Sequence, residues 1–65
     1  MDARPFDGRI ALVTGAASGI GAATAARLAE GGAAGLVLLD HNPEGLAEVS
    51  NRVSATGVNV LTLAH

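Results

Sequence analysis

Three glycines, Gly15, Gly19 and Gly21, stand within the stretch LVTGAASGIG, residues 12–21, with Thr14 before them and Ser18 among them. Glycine at that density removes Cβ atoms from one turn of chain, which lets something approach the backbone. Phosphates bound where a strand passes into a helix lie against the N–H groups of the helix N-terminus, where unpaired donors and the helix dipole favour negative charge. On this reading Gly15 makes the tight turn, Gly19 lets the backbone approach a pyrophosphate, and Gly21 lets the helix pack closely on a sheet. Ser18 offers a hydroxyl at the same rim. A tight glycine turn with no ligand is the alternative reading of the same residues.

Asp40 is the second chemical signal, at the end of the apolar run LVLLD, residues 36–40. A carboxylate at the carboxyl end of a second strand accepts hydrogen bonds from both hydroxyls of an adenosine ribose and repels a 2'-phosphate by like charge. No Arg or Lys occurs among residues 10–26 or 36–51 to bind that phosphate instead, so the chemistry points to NAD rather than NADP. The structural alternative has Asp40 opening a turn with Asn42 and Pro43. His41 stands beside it, either as a solvated loop residue or flanking the adenine or ribose; His65 is given no catalytic role.

Other phosphate and metal chemistries fit poorly. Walker-type nucleotide binding needs a Lys beside Ser or Thr after the glycines, and the sequence has no Lys. Two His and no Cys, with Asp2, Asp7, Glu30, Glu44 and Glu48 scattered, make no metal site.

The elements that position these residues follow from the apolar pattern. IALVT, residues 10–14, predicts a short buried strand that stops at Gly15. IGAATAARLAE, from Ile20, predicts an Ala-rich helix with Ile20, Thr24 and Leu28 at spacings of four and Ala23 on the same side. Gly31 or Gly32 ends it in the left-handed conformation. Residues 36–40 form the second strand. Asn42 then caps a second helix with Pro43 in its first position and Leu46, Val49 and Val53 along one side, stopped by Gly57. VNVLTLAH, residues 58–65, enters the core as a third strand. The order is strand, helix, strand, helix, strand, with helices of the length that parallel crossovers demand.

Right-handed crossovers stepping in one direction put both helices on the same face of such a sheet, whereas a parallel sheet buries both faces. The expectation is therefore that the 65 residues are the first part of a larger polypeptide or a subunit completed by another chain. Size agrees, since a chain this short without disulfide or metal needs other support.

The composition, 49% hydrophobic with a single aromatic, Phe6, describes a globular chain. Its formal charge is −2, and the four Arg at 4, 9, 27 and 52 form no cluster, which argues against nucleic acid and anionic membrane as partners. No apolar run approaches a membrane span, and MDARPFDGR lacks the apolar segment of a secretory signal. With no Cys, a cytoplasmic location is the expectation.

TGAASGIG, Thr14 to Gly21, resembles the TGxxxGIG cofactor motif of the short-chain dehydrogenase/reductase family, and Asp40 at the end of LVLLD resembles the second strand of its NAD-preferring members. The resemblance runs from about Gly8 to the last residue. It implies an α/β Rossmann-type parallel sheet, here only the first β-α-β-α-β half, with residues 1–65 as the N-terminal part of an NAD-binding domain. It implies further that Gly15, Ser18, Gly19, Ile20 and Gly21 surround the pyrophosphate and adjacent ribose, that Thr14 helps hold the turn, and that Asp40 takes the adenosine ribose with His41 near it. One departure is EGGAAGLVLLD, which carries one residue more between helix and strand than the commonest form. Family chemistry uses a Tyr, a Lys four residues later, a Ser and often an Asn. The sequence contains neither Tyr nor Lys, so no catalytic residue is named.

The implied function is the NAD-binding portion of an oxidoreductase that moves hydride between NAD and a secondary alcohol or ketone, as a homo-oligomer or completed by the rest of its own chain. The alternatives are a catalytically silent dinucleotide-binding or sensor protein on the same scaffold, and a purely structural sheet.

Overall fold

The computed structural model describes residues 7–65. The chain runs β1 (Ile10–Thr14), α1 (Gly19–Glu30), β2 (Gly35–Asp40), α2 (Pro43–Ser54) and β3 (Asn59–Ala64). The strands form one parallel sheet in the order β1-β2-β3, with Leu12 opposite Val37 and Val37 opposite Leu61. This is the expected partial Rossmann topology; the strands and the first helix begin and end within one residue of the sequence reading, while α2 ends at Ser54, ahead of the Gly57 expected to stop it.

Both helices pack on one face of the sheet. Period-two alternation divides β2, so that Leu36, Leu38 and Asp40 are buried beneath the helices while Val37 and Leu39 turn the other way, half-buried. Val13 from β1 and Leu46, Val49 and Val53 from α2 complete the core around Leu36 and Leu38. The opposite face carries Ile10, Leu12, Leu61 and Leu63, all exposed. Apolar residues thus occupy both faces of a sheet of which this chain covers one, as expected from its crossovers.

α1 departs from the sequence reading. Its buried face is Gly21, Ala25 and Ala29, whereas Ile20 is 84% exposed and Thr24 is also exposed, its hydroxyl donating to the Ile20 carbonyl at 2.9 Å. The helix is rotated by one residue, about 100°, from the face that its larger side chains predict. Small residues win because they let the backbone of α1 lie close to the first strand's turn. The end of α1 is a Schellman motif: Gly32, at φ +92°, donates to Ala29, and Ala33 donates to Leu28. In the loop that follows, Ala34 and Gly35 both donate to the Arg9 carbonyl, at 2.8 and 3.4 Å.

α2 follows its reading closely. The Asn42 side chain accepts from Gly45 N at 3.1 Å, Pro43 occupies the first turn, where its missing N–H costs nothing, and Leu46, Val49 and Val53 are buried. Gly57, at φ +91°, turns the chain into β3.

Candidate functional site

The site lies at the carboxyl ends of the strands, where the β1–α1 turn meets the end of β2. Gly15 takes φ +64°, a left-handed conformation that only glycine adopts without strain. Ser18 closes the turn on itself: its Oγ donates to the Gly15 carbonyl at 2.7 Å and accepts from Gly21 N at 3.1 Å, making Ser18 the N-cap of α1. A Cβ on Gly21 would overlap the Gly15 carbonyl oxygen and sit 2.9 Å from the Ala16 Cα, so the helix starts against the turn only because position 21 has no side chain.

Gly19 differs from Gly21. A Cβ built there meets no atom within 4 Å, so the backbone at the start of α1 faces open space. As the first residues of the helix, Gly19 and Ile20 have N–H groups with no intrahelical acceptor, and among the described residues no other group takes them up. The arrangement fits an anion: free donors at a helix N-terminus, room for a ligand, and no side chain to hold it off.

Asp40 closes the other side. It is only 9% exposed, and both carboxylate oxygens are engaged: Oδ2 accepts from Ala17 N and Oδ1 from Asn42 N, each at 3.0 Å. Those two N–H groups hold the carboxyl below the usual carboxylate range, against the opposing effect of burial, and the neighbouring His41 adds to the lowering. His41 Nδ1 lies 3.3 Å from Oδ1, with its side chain 90% exposed.

The structure therefore gathers Gly15, Ser18, Gly19, Gly21 and Asp40 around one rim. Thr14 ends β1 at that rim, exposed, and the hydrogen bond that closes the turn comes from Ser18. Ile20 and His41 border the rim as exposed side chains. Two residues to which the sequence reading gives no role, Ala17 and Gly45, also shape the site. A Cβ on Gly45 would come within 2.7 Å of the Ala17 Cβ, so α2 begins in contact with the glycine turn. The glycine in NPEG, inside an otherwise helix-forming start, was the available signal. A shallow apolar hollow lined by Ile10, Gly35, Val37 and Leu61 lies at the opposite end of the strands and contains none of these residues. Among the described residues no cluster of three metal-ligating side chains occurs, and no helix is long and apolar enough to cross a membrane.

A parallel sheet with a glycine turn opening its first helix and an acid ending its second strand defines a dinucleotide-binding fold of the NAD(P) oxidoreductase type. The short chain dehydrogenase family model matches residues 9–65, and the chain belongs to that family. It is 46% identical over 57 residues to 2,3-dihydro-2,3-dihydroxybenzoate dehydrogenase of Bacillus subtilis (strain 168), a match that covers 88% of this chain and 22% of the relative. Among solved structures, NAD+-bound xylitol dehydrogenase superposes with a TM-score of 0.86 at 44% identity, over 91% of this chain and 22% of that one. L-sorbose reductase from Gluconobacter frateurii, complexed with NADPH and L-sorbose, superposes with a TM-score of 0.87 at 36% identity, over all of this chain and 24% of that one. The chain thus spans about a quarter or less of the length of these relatives.

Proposed function

We propose that residues 1–65 are the N-terminal part of an NAD-binding domain, and that the protein moves hydride between NAD and a secondary alcohol or ketone. The observation that carries this reading is the Asp40 carboxyl group at the end of β2, bonded to Ala17 N beside the open face of the Gly15–Gly21 turn. Gly19 and Ile20 present their free N–H groups to the pyrophosphate, Gly15 and Gly21 shape the turn, and Ser18 fixes its rim. Asp40 accepts from the adenosine ribose through the lone pairs its two backbone donors leave free, since an ionised carboxylate offers about four such sites. A 2'-phosphate in that place meets the carboxylate's charge, and no basic residue among 10–26 or 36–51 offsets it.

Bound NAD supplies the hydride acceptor. The residues of this chain orient the adenosine end and leave the nicotinamide end to be positioned elsewhere, since no Tyr or Lys is present to move a proton. The names of the relatives support the substrate class, because xylitol, L-sorbose and the dihydrodiol are all alcohols or a ketone. Calorimetric titration of NAD and NADP into the full-length protein tests the reading. Tighter binding of NAD by tenfold or more is expected. Tighter NADP overturns the cofactor assignment, and binding of neither overturns the function.

A further inference from the structure

The Asp40 carboxylate is tied to backbone on both sides. Oδ2 of Asp40 accepts from Ala17 N across 23 residues of sequence, and Oδ1 accepts from Asn42 N, each at 3.0 Å. One residue away, Ala16 N donates to the Leu39 carbonyl at 3.1 Å, so the turn is bound to the end of β2 at two successive amides. On the far side of Ala17 stands Gly45, where a Cβ would lie 2.7 Å from the Ala17 Cβ and 2.9 Å from Asn42 Nδ2. Ala17 is thereby held between a carboxylate that pulls its N–H toward β2 and a helix start that leaves just enough room for its methyl group.

We infer that Asp40 is a positioning residue for the glycine turn, acting through the Ala17 N–H, and that Gly45 sets the clearance which lets this bond form. The inference rests on the dinucleotide reading but separates from it. A carboxylate serving only as a ribose acceptor would need neither burial nor backbone donors on both oxygens. Asp40 is instead buried, with each oxygen already on an N–H, and an N–H bonded to a charged acceptor makes one of the stronger hydrogen bonds in a protein. Gly19 and Ile20 follow Ala17 by two and three residues, so fixing Ala17 fixes the free donors at the start of α1. Replacing Asp40 accordingly does two things: it removes a ribose contact, and it loosens the donors that meet the pyrophosphate.

The two effects are separated by a dinucleotide that lacks both hydroxyls of its adenosine ribose, which has no diol to offer Asp40. In the full-length protein, Asp40→Ala is expected to weaken this dideoxy analogue of NAD at least fivefold. Exchange of the Ala17 amide in cofactor-free protein should be at least tenfold faster. Asp40→Asn, which keeps an acceptor for Ala17, is expected to restore part of both. Gly45→Ala leaves Asp40 in place and improves helix propensity, yet should weaken NAD and the analogue by the same factor and speed exchange at Ala17. Analogue affinity within twofold of wild type in Asp40→Ala, or unchanged exchange at Ala17, overturns the inference. If the wild type binds neither dinucleotide the proposed function fails, while exchange at Ala17 still decides whether Asp40 holds the turn.

Discussion

Gly21 approaches Gly15 so closely that a methyl group on the first would occupy the place of the second's carbonyl oxygen. In an ordinary helix, Gly→Ala gains about 1 kcal/mol through propensity alone. Here the neighbour is backbone and cannot step aside, so overpacking of about 1–3 kcal/mol opposes that gain. Gly21→Ala is expected to destabilise the full-length protein, read as a lower urea midpoint with an unchanged slope. A midpoint at or above wild type would show that α1 does not start against the turn.

Asp40 gives a pH dependence whose sign follows from its environment. Its carboxyl is lowered in the folded protein, chiefly by the N–H groups of Ala17 and Asn42. The stability this contributes is fully present above the ordinary unfolded value of about 3.9 and is lost as pH falls through the lower folded value. The difference in unfolding free energy between wild type and Asp40→Ala should therefore be flat from pH 7 to about 5 and shrink as pH falls further. A difference that grows on acidification would mean that the carboxylate is not held by these donors.

The strand and helix order, the cap of α2 and the glycine turns were legible in the sequence because each rests on local chemistry: Asn42 and Pro43 at a helix start, Gly57 at a left-handed turn, Val49 and Val53 at helical spacing. The Ser18 cap of α1 was not, because its hydroxyl reads equally as a group at the ligand rim. Nor was the buried face of α1. Periodicity weighs side chains by size, and Ile20 and Leu28 outweigh alanine, yet the helix turns its smallest residues inward to reach the Gly15 carbonyl. The bond from Asp40 to Ala17 was illegible for another reason, since a backbone N–H carries no sequence signature. The ribose role proposed for Asp40 was read from its place at the end of an apolar run.

Leu12 and Leu61 flank Val37 on the face opposite the helices, 63% and 57% exposed. Their relatives carry roughly four times as much chain. In the full-length protein Leu12→Asp is expected to be strongly destabilising, by more than about 3 kcal/mol, because an unpaired charge would be buried. An effect within about 0.5 kcal/mol, the usual range of a surface substitution, would show that this face lies in water.

The proposed cofactor preference rests on charge at one position. Asp40→Ala removes the repulsion toward a 2'-phosphate without adding a base to attract it, so the ratio of NAD to NADP affinity should narrow by about tenfold or more rather than invert. Titration of both cofactors into wild type and variant reads the ratio directly, and an unchanged ratio would remove Asp40 from the specificity argument.

Gly19 offers the sharpest separation between folding and binding. Its Cβ position is empty space within 4 Å, and the residue begins α1 outside the buried core. Gly19→Val therefore adds a branched side chain that no protein atom opposes, and cofactor-free stability should stay within about 1 kcal/mol of wild type, the scale of the helix-propensity difference. The same side chain would occupy the space in front of the Gly19 and Ile20 N–H groups, where the pyrophosphate must reach the helix N-terminus. NAD affinity should fall at least a hundredfold. Unfolding has to be followed without cofactor, because bound ligand raises apparent stability by mass action. A folded Gly19→Val protein that binds NAD as wild type does would place the pyrophosphate elsewhere and leave the glycine turn a structural device alone.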